Sequence, residues 1–313
     1  MTEGSTKAIL AAFGANLLVS IAKFIGFSIT GATSMLAEAI HSVADTSNQG
    51  LLLLGGKRAR REATPDHPFG FGRSRYFYSF IVALVLFTLG GLFALFEGNE
   101  KLKHPDEIVR PSVAIIILVA AIIAEGYSLR TAVKAARPYK RDLSWWQFIR
   151  TARTPELPVV LLEDLGALIG LTLALGGLVT TAITGNPIWD AFGTLAIGAL
   201  LVIIAIVLVI EMASLLIGEG AIAATVAKIR NAINSSQGVH QIINLRTLHI
   251  GPDELLIAAK IEFDPTLSVA QVVETTNRAE AAIRNDVPSA RYIYLEPDIH
   301  NPVYVPASDT LQH

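Results

Sequence analysis

Glu38, His41 and Asp45 stand at spacings of three and four residues inside an otherwise apolar run, SMLAEAIHSVADTSNQGLLLLGGK at 34–57. On a helix, such spacings put the three side chains on one face. A second apolar stretch, Leu157–Ala182, carries Glu163 and Asp164 side by side. Ionisable groups at membrane depth are costly and rarely kept without a task. One imidazole and several carboxylates on two neighbouring spans form the donor set of a divalent-cation site. A helix-packing hydrogen bond would account for a lone histidine. It accounts less well for an i, i+4 His/Asp pair matched by carboxylates on another span.

The elements that must position these groups are membrane spans. The chain has 313 residues, 52% of them hydrophobic and 17% charged, with a mean hydropathy of +0.49. This is too apolar for an ordinary soluble domain and fits a polytopic membrane protein with a soluble part, the lipid bilayer being its first partner. A net charge of −2 leaves no nucleic-acid footprint, and the absence of cysteine excludes disulfides and thiolate metal sites. Six apolar segments can each cross a ~30 Å hydrocarbon core: Ala8–Ser28, Ser34–Lys57, Ser74–Glu97, Pro111–Val133, Leu157–Ala182 and Ile188–Ile217. The first is read as a retained span because no cleavage motif follows it. Basic residues crowd the second and fourth connections (Lys57, Arg58, Arg60, Arg61, Arg73, Arg75; Lys134, Arg137, Lys140, Arg141, Arg150, Arg153), whereas the first and fifth are uncharged. The second and fourth connections, and both termini, are therefore expected on the cytoplasmic side. Trp145 and Trp146 in the fourth suit a headgroup boundary.

Depth brings the two stripes together. Asp45 lies about 16 Å from the outer start of its span and Asp164 about 10 Å from the inner start of its own, at ~1.5 Å per residue. In a core of ~30 Å these converge near the midplane. Gly166 and Gly170, one turn apart, would let the two helices approach closely. Glu163 and Asp164 point about 100° apart. Asp164 is therefore read as the ligand, and Glu163 as a second ligand or a proton carrier, the bland alternative being a partner for a basic residue near the inner face. Glu38 is either an outer relay or a residue facing water at the exit. Asn16, Ser20 and Lys23 form a polar stripe on the first span, where Asn16 is either a donor behind the site or an interhelical hydrogen-bonding group. Asn48 and Gln49 fit the inner entrance, and Glu125 and Glu211 the cytoplasmic ends of their spans. Asp66 and His67 are two donors without a third, so a loop role is expected of them; the remaining histidines are scattered.

From Gly218 the pattern changes. Ala221–Ser236 reads as a helix, Val239–Ile250 and Glu254–Asp264 as strands around a Gly-Pro-Asp turn, and Ser268-x-x-Gln271 as a capping box that opens a second helix. That helix has Val269, Val272, Thr276, Ala279 and Ile283 as its inward stripe, and Ala290–Glu296 is a third strand. The order implies a small α+β sandwich of about 80 residues.

At these residues the chain resembles the cation diffusion facilitator family of divalent metal transporters. The motifs are GFSITGATSMLAEAIHSVAD at 26–45, HPFGFGR at 67–73, the polar fifth span, and LRT (245–247) with LEP (295–297). The strings EAIHSVADTSNQGLLLLG (38–55), LLEDLGALIG (161–170) and ITGNPIWD (183–190) are similar to those of the animal subgroup linked to mitochondrial zinc export. The resemblance implies a metal–proton antiporter rather than an enzyme. It would have a six-helix transmembrane domain over 1–217, a cytoplasmic ferredoxin-like dimerisation domain over 218–300, a tail over 301–313 and a homodimeric assembly. The expected location is a bacterial plasma membrane. His41 and Asp45 match the family's second-span ligands and Asp164 its fifth-span aspartate. Val160 stands where the family usually has a fifth-span histidine, and Glu163 is the residue that would compensate. Phe71 and Tyr294 replace histidines of the family's cytoplasmic metal sites, which are expected to be lost or weakened. The expected function is proton-coupled export of zinc, with manganese, iron or cobalt as the alternative substrate; a membrane metal sensor or scaffold and an unrelated ion channel are the rival readings.

Overall fold

A computed structural model describes residues 3–105 and 108–301, with side chains from Leu17 onward. The chain divides into two compact units that meet between Leu216 and Ile217.

The N-terminal unit is helical: α1 (Glu3–Thr30), α2 (Thr33–Ala59), α3 (Ser74–Val85), a π-helical segment (Leu86–Leu92), α4 (Phe93–Lys103), α5 (Pro111–Lys140), α6 (Trp145–Thr151), α7 (Glu156–Thr184) and α8 (Ile188–Ile217). The segment from α3 through α4 is one continuous span. Four helices among the described residues are long and apolar enough to cross a membrane: Ser74–Lys103, Pro111–Lys140, Glu156–Thr184 and Ile188–Ile217. In α1 the apolar run among described side chains is the shorter Leu17–Thr30. The length of α2 suffices, but Glu38, His41, Asp45, Lys57 and Arg58 interrupt its apolar character, and the first three are the residues singled out for chemistry.

Two elements differ from expectation. α5 continues about two turns past Val133 to Lys140, through Pro138. Lys134, Arg137 and Lys140 end the apolar window without ending the hydrogen-bonded helix. α6 was not expected as a helix. Its capping box joins Ser144 and Gln147 reciprocally, with Trp145 and Trp146 exposed and Phe148 and Ile149 buried.

α2 is the hub of the bundle, packing against α1, α3, the π-helical segment, α4 and α7. Its first turn has no side-chain cap of its own. Asp190, on the first turn of α8 and fully buried, supplies one. One carboxylate oxygen accepts from Thr33 N–H at 2.7 Å and Ser34 N–H at 3.4 Å, and the other accepts from the Ser34 hydroxyl. A carboxylate here also meets the positive end of the helix dipole. The span from α3 through α4 lies against α8 through small residues: a Cβ at Gly91 would stand 2.6 Å from a Val202 methyl, and one at Gly198 2.8 Å from Leu95 N.

The C-terminal unit runs α9 (Ala223–Asn234), β1 (Val239–Gly251), β2 (Glu254–Phe263), α10 (Val269–Asp286) and β3 (Ala290–Pro297), with sheet order β1-β2-β3. β1 and β2 form an antiparallel hairpin, while β3 joins β2 in parallel, which requires the crossover that α10 provides. Leu255, Ile257, Ala259 and Ile261 are buried at the period of two, and Ile229, Ile233, Ile283 and Ile293 complete the core. The Ser268–Gln271 capping box is present. The inward stripe of α10 is corrected. Val269 is exposed, whereas Thr275 is buried with Ala279 and Ile283 and donates to the Gln237 carbonyl. Positions 275, 279 and 283 are one turn apart, and the polar Thr275 is tolerated inside because its hydroxyl is satisfied.

The remote cap makes a prediction. Asp190→Ala leaves two N–H groups and a hydroxyl without their acceptor, and is expected to destabilise the protein by about 1–3 kcal/mol. Asp190→Asn, which keeps one acceptor oxygen, should lose less. Thermal unfolding of the detergent-solubilised chain checks this; equal melting temperatures for all three proteins would show that α2 does not depend on the cap.

Candidate metal centre

The polar face of α2 runs through Glu38, His41, Asp45 and Asn48. Glu38 and Asn48 are fully buried, His41 is 1% exposed, and the Asp45 side chain is 16% exposed. His41 Nε2 lies 3.5 Å from Asp45 Oδ2. Both His41 ring nitrogens, Glu38 Oε1, Asp45 Oδ1 and Asn48 Oδ1 are buried without a hydrogen-bond partner. Buried polar atoms are nearly always paired, so a row of unpaired donors on one helix face calls for an explanation. A cation supplies one, since every atom of the row except the histidine nitrogens is an oxygen acceptor, and neutral imidazole can itself ligate a metal.

On α7 the two carboxylates diverge as helical geometry requires. Glu163 turns toward α2, is 6% exposed, and accepts from Asn48 Nδ2 at 2.6 Å. Its partner is thus Asn48 rather than a basic residue, and Asn48 is occupied in holding it rather than lining an entrance. Asp164 turns toward α5 and accepts from the Ser128 hydroxyl at 3.0 Å. Among the described residues, no group of three or more His, Asp or Glu side chains is gathered into metal-holding geometry. His41 and Asp45 are together, and Glu163 and Asp164 lie close enough for charge interaction with Asp45, but each is held by a hydroxyl or amide.

Two residues differ from the sequence reading. Glu38 does not face water. Its Oε2 is 3.0 Å from Lys23 Nζ, and Lys23, also fully buried, donates to the Ser42 hydroxyl at 2.7 Å. Glu125 was placed at a cytoplasmic end but lies halfway along α5, near enough for its charge to act on His41, Asp45 and Asp164. The cue was its position about 21 Å from Pro111 at ~1.5 Å per residue, one turn before Ser128. Glu211, by contrast, does lie near the expected end, 3.4 Å from Arg150. The Asn16 side chain lies outside the described residues; Ser20 faces the Ala39 carbonyl of α2.

Small residues line the polar face. A Cβ at Gly170 of α7 would stand 2.7 Å from Glu38 Oε1, so α7 meets α2 there as expected, whereas Gly166 faces Ile204 of α8. In the π-helical segment, a Cβ at Gly90 would stand 3.6 Å from His41 Nδ1. π-Bulges recur at functional sites, and this one sits beside the imidazole. The position one turn before Asp164 is Val160 and adds no nitrogen. Asp66 and His67 form a loop: His67 and Thr64 exchange backbone hydrogen bonds, and the His67 ring packs 4.5 Å from Phe71. Tyr294 is 55% exposed on β3.

Comparison with known proteins accords with this layout. Residues 9–217 match the cation efflux transmembrane domain, and residues 223–298 match the cation efflux protein cytoplasmic domain. A proton-coupled zinc antiporter, SLC30A9, mitochondrial, from Xenopus laevis is 33% identical over 84% of this chain and 47% of its own length. Metal tolerance protein C4 of Arabidopsis thaliana is 29% identical over 90% of this chain and 62% of its own. The magnetosome protein MamB of Magnetospirillum gryphiswaldense is 23% identical over 91% and 90% respectively. The chain thus spans about half the length of the SLC30A9 relatives it matches. With both of its units matched and the resemblance to the mitochondrial zinc-antiporter subgroup upheld, the chain belongs to the cation efflux, or cation diffusion facilitator, family of transporters.

Proposed function

We propose that this chain exports divalent transition-metal cations, zinc foremost, in exchange for protons, at a midplane site built from His41, Asp45, Asp164 and Glu163. The observation that carries the reading is the row of buried, unpartnered donor atoms on one face of α2. The family membership and the names of its relatives support it. The spacing of the α7 carboxylates accords with ligands held apart while no cation is bound. Loading then exchanges the Asn48 and Ser128 hydrogen bonds for the cation. Binding needs ionised carboxylates and a neutral His41, so loading releases protons. Protons arriving from the opposite face reverse the exchange and expel the cation. Rocking of the helices around the site supplies alternating access. We place the transport domain at 1–217 and a cytoplasmic dimerisation domain at 218–300. The basic second and fourth connections support cytoplasmic termini, in a bacterial plasma membrane, and the C-terminal match supports a homodimer.

His41→Ala, Asp45→Ala and Asp164→Ala should each reduce proton-driven zinc flux in proteoliposomes to the protein-free background while the dimer still assembles. Wild-type flux in Asp45→Ala and Asp164→Ala would remove the site assignment.

One nitrogen and up to three carboxylates form a harder donor set than a two-histidine site, so manganese or cobalt should travel appreciably beside zinc. Val160→His restores an imidazole and should shift competitive flux toward zinc. Glu163→Gln should depress the harder ions more than zinc and diminish the proton exchange read by an internal pH dye. Unchanged selectivity and proton movement in Glu163→Gln would make Glu163 a structural residue.

A further inference from the structure

Lys23 is the most unusual side chain of the N-terminal unit. Its ammonium is fully buried on a membrane helix, one helix away from a row of cation-binding donors. It is held by Glu38 Oε2 at 3.0 Å and the Ser42 hydroxyl at 2.7 Å, both on α2. Ser42 adjoins His41 in the chain, and Glu38 is one turn toward the expected outer end. Its charge reaches His41 and Asp45. Glu38 Oε1, the oxygen that Lys23 does not hold, is buried without a partner against the close approach at Gly170. Glu38 therefore has the chemistry and the placement of another oxygen ligand, yet its charge is already spent on a cation that the chain itself carries. As mere packing the pair makes little sense, because a buried ion pair is weak evidence of stability and apolar residues of similar volume commonly serve as well.

We propose that Lys23 is a tethered counter-cation of the transport site, which keeps Glu38 out of the substrate's coordination shell and so holds the affinity low enough for release. The inference rests on the site proposed above. A fixed positive charge beside the site opposes a divalent cation. The carboxylate it neutralises would otherwise add a strong hard donor to those of Asp45, Glu163 and Asp164. Removing Lys23 and removing Glu38 must then act in opposite directions. Without the ammonium, Glu38 is released toward the substrate. Without the carboxylate, the ammonium is left unscreened against it.

The experiment titrates zinc into the detergent-solubilised full chain and measures zinc flux in proteoliposomes for wild type, K23Q, E38Q, the K23Q/E38Q double variant and the reference Asp45→Ala. K23Q should bind zinc more tightly by roughly tenfold, within the range of typical couplings between sites, with a lowered KM and a lowered maximal rate because release slows. E38Q should bind more weakly by a similar factor. The double variant should return to within about threefold of wild type, as charge compensation requires. A structural pair would weaken binding in both single variants alike and recover in the double, so the opposite signs of the Lys23 and Glu38 variants decide the matter; should K23Q not fold, K23M supplies the same reading. Weaker or unchanged binding in K23Q, unchanged or tighter binding in E38Q, or no recovery in the double variant overturns the inference alone. Zinc binding that is indifferent to Asp45→Ala overturns the site reading and this inference with it.

Discussion

The structure depends on a single constraint: the polar face of α2 is buried in an apolar bundle, and each charge or dipole on it needs compensation from another helix. An isolated ion in such surroundings costs several kcal/mol even after relaxation. The compensation is distributed. α1 contributes the Lys23 ammonium, α7 contributes Glu163 against Asn48, and α8 reaches across to cap the first turn with Asp190. The order of the helices around α2 follows from where these partners stand, so the site and the bundle are one problem in electrostatics. What the helices leave uncompensated is as telling. His41, one oxygen of Asp45 and one oxygen of Glu38 have no partner, and these atoms lie on the same face within two turns.

The divergence of Glu163 and Asp164 gives the arrangement its second property. Consecutive residues on a helix cannot address the same neighbour, so one turns to Asn48 of α2 and the other to Ser128 of α5. Both hydrogen bonds come from neutral groups, and each engages one oxygen of its carboxylate. On the proposed reading, binding would rearrange the α7 carboxylates rather than fill a rigid cage. Among the described residues no three-ligand cluster is gathered.

Much of this was legible in the sequence because it is periodic. The three-and-four spacing on α2, the alternation in β2 from Leu255 to Ile261, and the Ser268 capping box each repeat at the interval of the element they belong to. Pairings between elements left no such trace. Lys23 and Glu38 are 15 residues apart on different helices, and Asp190 is 157 residues from the Thr33 amide it caps. Periodicity states which face a residue occupies and not which helix that face meets. Glu125 differs for another reason. Within Pro111–Val133 it already lies about one turn from the middle, so its position points to depth; its charge alone suggests a solvated end. α6 could have been found, since Ser144-x-x-Gln147 carries the same signal as Ser268-x-x-Gln271, but the tryptophans drew the reading to the membrane boundary instead. The π-helical segment has only a Thr-Leu-Gly-Gly sequence as its cue, which does not separate a wide turn from an ordinary helix with close neighbours.

The π-helical segment determines what packs beside His41. A wide turn adds a residue without breaking the helix, and here it brings Gly90 to the imidazole while Gly91 meets Val202. An alanine-sized side chain at Gly91 would collide with α8, which fixes the height at which the two helices cross. At Gly90 it would stand 3.6 Å from Nδ1 and 3.3 Å from methyls of Leu201 and Leu86, a tight fit. The two adjacent glycines thus meet different neighbours: Gly91 lets the span from α3 through α4 approach α8, and Gly90 lets the backbone lie beside the imidazole. A histidine held rigidly would favour one occupancy of the site. Both ring nitrogens of His41 lack a hydrogen-bond partner, so on the proposed reading the ring has a lone pair to offer a cation and a place to carry a proton.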